Sequence, residues 1–332
     1  MVTFSDVLIT VIFLLLLAVP GYVFAKTKML PKTAGEVLSV IVLYCCQPVI
    51  IITSFQNCSF SADICLNMLI VLVLATALHI AFFIGLKFAF AKAVDCDRVR
   101  IIKYASVFSN CGFMGLPFLQ SLFSESGMQS EILIYCAVII VVFNVLNWTF
   151  GVYILTKDKR EVSVKKVLLN PVIIAVIIGL AMFFILQKPL VELAAAGTTA
   201  HKILSKLTAS LNYIANMVTP LSMIVIGIRL ANVEIKRLFT DKWAYLSSAV
   251  KLLAFPLAAI FSAAYLPIPS TIKYTVFFLL AMPSATSSVM MAIKFGKDGD
   301  FATECVLLST LLCVITLPIL YLFMNGILKI PL

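Results

Sequence analysis

The chain has too little charge to coat a water-facing globule. Of its 332 residues only 12% are Asp, Glu, Lys or Arg, against roughly 25% in soluble domains. It holds two histidines, and its nine cysteines form no C-x-x-C pair and no Cys/His cluster with metal spacing, which excludes the familiar zinc and dithiol motifs. Most cysteines (Cys45, Cys46, Cys111, Cys136, Cys313) lie in apolar runs, where cysteine behaves as a small hydrophobe. Cys58 and Cys65 flank one loop and read either as free thiols or as a bridge. No H-E-x-x-H motif or nucleophile–base pair occurs, so an enzyme is not expected and no cofactor is implied. The long apolar runs also lack a central carboxylate, because Asp6, Glu36, Asp63 and Glu304 all sit near run ends. Proton and cation antiporters usually need such an acid within the membrane, and its absence favours an anionic or neutral cargo.

What the chain has instead is hydrophobicity: 62% apolar residues and a mean hydropathy of +1.12. About 20 apolar residues cross a bilayer core. On that ruler ten segments stand out, at roughly 6–25, 35–56, 65–93, 100–123, 131–156, 169–187, 208–231, 243–266, 271–295 and 303–325. The expected fold is therefore an all-α polytopic membrane protein whose first partner is the lipid bilayer. The first segment ends in V-F-A as a signal peptide does. It carries Asp6 and no basic leader, so it reads as an uncleaved span.

The net charge of +10 is spread between apolar runs rather than gathered in a basic domain, which argues against a nucleic-acid partner. Loops after odd-numbered segments hold 19 of the 25 basic residues, Arg98, Arg100, Lys159 and Arg160 among them. The other loops and the C-terminus hold five: Lys188, Lys202, Lys206, Lys273 and Lys329. By the positive-inside rule the odd loops face the cytoplasm, and both termini lie outside the cell membrane.

Five spans per half give halves of opposite heading, 1–156 and 157–332. Gln47-Pro48 in segment two is matched by Thr219-Pro220 in segment seven, and Pro117 in segment four by Pro283 in segment nine, at offsets of 172 and 166 residues. Inverted repeats with matched interrupted helices point to a secondary transporter with its site near the midplane.

The stretch SNCGFMGLPFLQ, Ser109 to Gln120, is poorly composed for a continuous helix. Unwound backbone at membrane depth is tolerated only where protein buries it or a polar cavity meets it. Asn110, Gly112 and Pro117 suit such a break, and AMPSATSSVM in segment nine repeats the idea with Pro283, Ser284, Thr286 and Ser287. Each restarting half-helix presents amide N–H groups at its positive end. Two such ends meeting at the midplane make an anion site, to which the interrupted segment two adds Gln47 and Pro48. Lys251 in segment eight is costly in lipid. It reads as a substrate counter-charge, as a fixed cation replacing a coupling ion, or as a side chain snorkelling to the interface. Asn144 and Asn147 share a helix face and either line the site or bond to a neighbouring helix.

At these residues the sequence resembles the auxin efflux carrier family, with its bacterial and plant PIN-like transporters. The family's Asn followed by Met-Gly-Ile/Leu-Pro reads here as Asn110, Met114, Gly115, Leu116 and Pro117. Its polar residue before Pro in segment two reads Gln47-Pro48, its segment-nine Pro reads Pro283, and its basic residue five before a Pro reads Lys251 and Pro256. NWTFGVY, Asn147 to Tyr153, also resembles its segment five, and the likeness runs from about residue 8 to 325. The resemblance implies ten helices in a 5+5 inverted repeat, crossed broken helices four and nine, and a scaffold beside a transport domain. It further implies a homodimer, Asn110 on a substrate carboxylate, and cargo such as auxin, malate or malonate. Where the family often has Ala-Lys-Glu-Tyr after segment nine, this chain has Ala292, Ile293, Lys294 and Phe295, which removes the acid from any proton coupling there. The expectation is a secondary carrier of small organic anions, working as an exporter. Its rivals are a cation-coupled symporter of bile-acid-transporter-like fold and a membrane receptor without flux.

Overall fold

The computed structural model describes residues 2–31, 33–233 and 238–328. Lys32, Lys236, Arg237 and Lys329 of the charge count lie outside the described residues. Within them the regular structure is helical, apart from one bridge between two extended residues. Counted through their kinks, eight helices among the described residues are long and apolar enough to cross a membrane: Phe4–Lys26, Ala34–Gln56, Ala62–Ala89, Gln129–Thr156, Pro171–Leu193, Thr199–Ala231, Lys242–Phe261 and Gly299–Gly326. Two shorter apolar helices, Cys111–Leu122 and Ser270–Ala281, fall in segments four and nine. Phe13, Phe88, Ile177 and Ile185 point large apolar side chains outward, as a lipid-facing surface does. This is a multi-pass, all-helical membrane protein.

Most helix ends fall within a few residues of the hydropathy segments. The exception is the helix that begins at Thr199, nine residues before segment seven. Its first turns carry His201, Lys202 and Lys206 and so fail a hydropathy test, yet Thr198 caps them by accepting the His201 N–H at 3.2 Å, which continues the helix beyond the apolar run.

Three prolines account for three of the kinks. Pro48, Pro117 and Pro256 each stand two residues past a π turn, at Val42–Cys46, Cys111–Gly115 and Val250–Ala254. Proline has no N–H to donate, and its ring clashes with the carbonyl four residues back. A widened i→i+5 turn absorbs both defects and lets the helix go on. The fourth π turn, Asn147–Gly151, has no such proline. There Gly151 lies under the rings of Tyr104 and Phe108, and a Cβ would come within 2.9 Å of each.

Helices Val19–Lys26 and Val218–Ala231 cross backbone to backbone. A Cβ on Gly21 would lie 2.2 Å from the Ile224 carbonyl oxygen, and one on Gly227 would lie 1.9 Å from that of Ala18. Small residues are what allow membrane helices this approach. At the end carrying the odd loops, ion pairs tie the chain together: Arg98 to Asp241 at 2.8 Å, Lys297 to Asp97 at 2.8 Å, and Arg100 to Asp95 at 2.7 Å. The Arg100 guanidinium grips both Asp95 oxygens, and this hydrogen bonding holds the Asp95 carboxyl below its ordinary range.

Candidate functional site

Segments four and nine are broken where their composition is least helical. The half-helix Asp97–Val107 ends on extended Phe108, and the chain restarts at Cys111. The half-helix Ser270–Ala281 ends on extended Met282 and restarts at Ser287. The two gaps cross and pair as a minimal antiparallel bridge at Ser109 and Ser284. Asn110 N–H donates to the Pro283 carbonyl at 2.8 Å, and Ala285 N–H donates to the Phe108 carbonyl at 2.8 Å. Exchanging the two segments exchanges the two bonds, so the crossing has a local two-fold. Pro283 fits this register because it is asked only to accept.

The crossing is buried and polar. Ser109 and Ser284 are fully enclosed and Asn110 is 3% exposed. The Asn110 carbonyl accepts from the Met114 and Gly115 amides at 3.2 and 2.9 Å, which winds the restarting turn, and Pro117 is buried in the first turn of Leu116–Leu122. Ser284 N–H donates to Ser309 Oγ at 3.1 Å. The bridge therefore uses the Asn110 and Ala285 amides for the pairing of the two segments with each other. Gln47, buried at the start of Gln47–Gln56 with Pro48 beside it, reaches the crossing from segment two: a Cβ on Gly112 would lie 2.6 Å from its Nε2. At the crossing, among the described residues, Gln47 Nε2, Asn110 Nδ2, Ser284 Oγ, Ser287 Oγ and Ser288 Oγ are buried with no hydrogen-bond partner. An orphaned buried polar group costs about 1–3 kcal/mol, so five of them at one crossing mark a place built to meet something polar. Thr286 and Ser287 sit where the second half-helix restarts, Thr286 buried and Ser287 partly so.

Two predicted residues are engaged otherwise. Asn144 donates to the Ile140 carbonyl at 2.8 Å and accepts from Asn170 Nδ2 at 2.9 Å; Asn170 caps the helix starting at Pro171. Its side chain joins two helices. Lys251 is fully buried and does not snorkel; its ammonium donates to Ser109 Oγ and to the Leu280 carbonyl.

Sequence reasoning passed over Ser109, Ser309, Tyr104, which donates to Asn147 Oδ1, and His79. His79 is buried, with Nδ1 at 2.7 Å from the Ala75 carbonyl and its ring edge-on to Phe255. A signal for it existed: His79 precedes Lys251 by 172 residues, the offset that already relates Pro48 to Pro220. Cys58 and Cys65 are free thiols.

Set beside known proteins, residues 6–166 and 156–321 match the family described as membrane transport protein. The chain belongs to that family. It is thus a transporter and not an enzyme, of the auxin-efflux-carrier kind that the Asn110–Pro117 motif resembles. Two curated relatives are each named an uncharacterised transporter. One, from Methanothermobacter thermautotrophicus, is 25% identical over 313 residues, which cover 93% of this chain and 96% of the relative. The other, from Methanocaldococcus jannaschii, is 22% identical over 301 residues, covering 90% and 93%.

Proposed function

We propose that this transporter is a secondary carrier of small organic anions, mono- or dicarboxylates, held at the crossing and moved by alternating access. The observation that carries the reading is the set of unpartnered buried polar groups on Gln47, Asn110, Ser284, Ser287 and Ser288 at the crossing of the two half-helix restarts. Amide and hydroxyl donors beside positive helix ends suit a carboxylate. The matched breaks, and the two-fold in their bridge, support ten spans in inverted halves 1–156 and 157–332. In this arrangement both termini are extracytoplasmic and two copies form the homodimer of the family. A potential negative inside favours anion exit by about 2.3 kcal/mol per charge per 100 mV, so the carrier works as an exporter without a coupling ion.

Counterflow of a labelled small dicarboxylate in proteoliposomes tests this. Because a hydrogen bond to a charged group is worth about 1.5–3 kcal/mol, Asn110→Ala is expected to slow exchange by roughly tenfold to a hundredfold. If no mono- or dicarboxylate in a broad panel exchanges, or if the variant exchanges at the parental rate, the reading falls.

A further inference from the structure

The most unusual group in the molecule is the Lys251 ammonium. It lies in the π turn Val250–Ala254, 0% exposed, and among the described residues no carboxylate pairs with it. An unpaired charge out of water costs several kcal/mol unless fixed dipoles replace the water. Here they do. The ammonium donates to Ser109 Oγ, in the break of segment four, and to the Leu280 carbonyl at 3.1 Å, and it stands 4.6 Å from the centre of the Phe255 ring.

The Leu280 carbonyl belongs to the C-terminal end of the half-helix Ser270–Ala281, where unused carbonyls and the helix dipole gather negative partial charge. Its neighbours meet only weak thiol donors: the Leu279 oxygen takes Cys111 Sγ–H at 3.8 Å, and the Ala281 oxygen takes Cys313 Sγ–H at 3.9 Å. Carbonyls at half-helix C-termini, together with hydroxyl oxygens, are the ligands that carriers use for a coupling cation. A cation of the right size already stands on them, attached to the chain.

We propose that Lys251 is a tethered cation: its ammonium fills, on the Ser109 hydroxyl and the end of Ser270–Ala281, the niche that a coupling Na⁺ would otherwise take. This deepens the carrier reading by naming its energetics. The positive charge that steadies the crossing is never exchanged with solvent, so anion binding and flux do not depend on Na⁺. Lys251 acts here as a positioning residue, holding Ser109 and the half-helix end together; the anion itself is met by Gln47 and Asn110.

The test needs no transported anion, which separates its outcome from that of the flux experiment. Purified full-length protein is melted in detergent with NaCl or choline chloride at equal ionic strength. The parental protein is expected to melt alike in both. Lys251→Ala, which leaves the oxygens without their cation, is expected to gain stability saturably with Na⁺ or with ethylammonium, by on the order of 2–4 °C. Lys251→Met, whose side chain fills the niche without charge, is expected to gain none. Saturable stabilisation of the parental protein by Na⁺ overturns the proposal, as does a folded Lys251→Ala that is indifferent to both cations. Should Lys251→Ala not fold alone, its recovery when ethylammonium is present throughout purification supports the proposal, and failure there too overturns it.

Discussion

Gly112 shows how narrowly single residues are set at the crossing. It packs against the Gln47 amide so closely that a Cβ would lie 2.6 Å from Nε2. Gly112→Ala is therefore expected to push the Gln47 amide aside and leave the backbone bridge of residues 109 and 284 intact. Measured by a thermal-shift titration with a stabilising carboxylate, apparent affinity is expected to fall about tenfold, the worth of one hydrogen bond to a charged group. Parental affinity in Gly112→Ala would remove Gln47 from the site. Residues of this kind were partly legible in the sequence. Asn110, Gly112 and Pro117 announced themselves because an amide, a glycine and a proline are out of place in an apolar helix. Ser109 did not, since a serine in a membrane helix most often bonds its own backbone, and His79 showed only once the offset between the halves was applied to Lys251. For Asn144 the sequence offered two readings, lining the site or bonding to a neighbouring helix, and no means of choosing between them. Its partner Asn170 lies 26 residues away and meets it only through packing.

At the scale of elements, helices Val19–Lys26 and Val218–Ala231 depend on two absent side chains. Gly21 and Gly227 let main chain touch main chain, with 1.9 Å between a hypothetical Gly227 Cβ and the Ala18 oxygen. Because the obstacle is backbone rather than a flexible side-chain tip, Gly227→Leu forces the helices apart, at a cost of about 1–3 kcal/mol for overpacking. Melting in detergent is expected to fall accordingly, by several degrees; an unchanged melt would mean that this crossing bears little of the fold. The apolar segments were legible from hydropathy. The π turns were less so, because proline marks where a helix must deform and does not say whether it widens, kinks or unwinds. Pro48 and Pro256 follow widened turns, while Pro283 lies inside a full gap. The difference lies in the residues on either side and in what crosses them.

Across the whole molecule, one polar cluster joins the broken segment four to the kink of segment seven. Gln120 Nε2 donates to Asn216 Oδ1 at 3.0 Å, Thr219 Oγ1 donates to Gln120 Oε1 at 3.1 Å, and Gln129 Nε2 donates to the Gln120 carbonyl at 2.9 Å. Farther along segment seven the packing opens into an apolar cavity of about 200 Å³ lined by Tyr22, Leu230, Leu238 and Leu307. Gln120→Ala removes two side-chain bonds, each worth about 0.5–1.5 kcal/mol. Amide exchange over residues 111–122 is expected to quicken by roughly fivefold to a hundredfold, with exchange over 147–156 unchanged. No change over 111–122 would show that the cluster does not restrain the break.

The bond pair between Asn110 and Pro283, and between Ala285 and Phe108, sets a limit on how anything held there can travel. Sliding either strand past the other would strip both peptide groups of their partners at once, deep in a region with no water to replace them. In the proposed carrier the two half-helix pairs then commute as one body, and the groups proposed to grip a passenger on one face of the bilayer are the same groups that release it on the other.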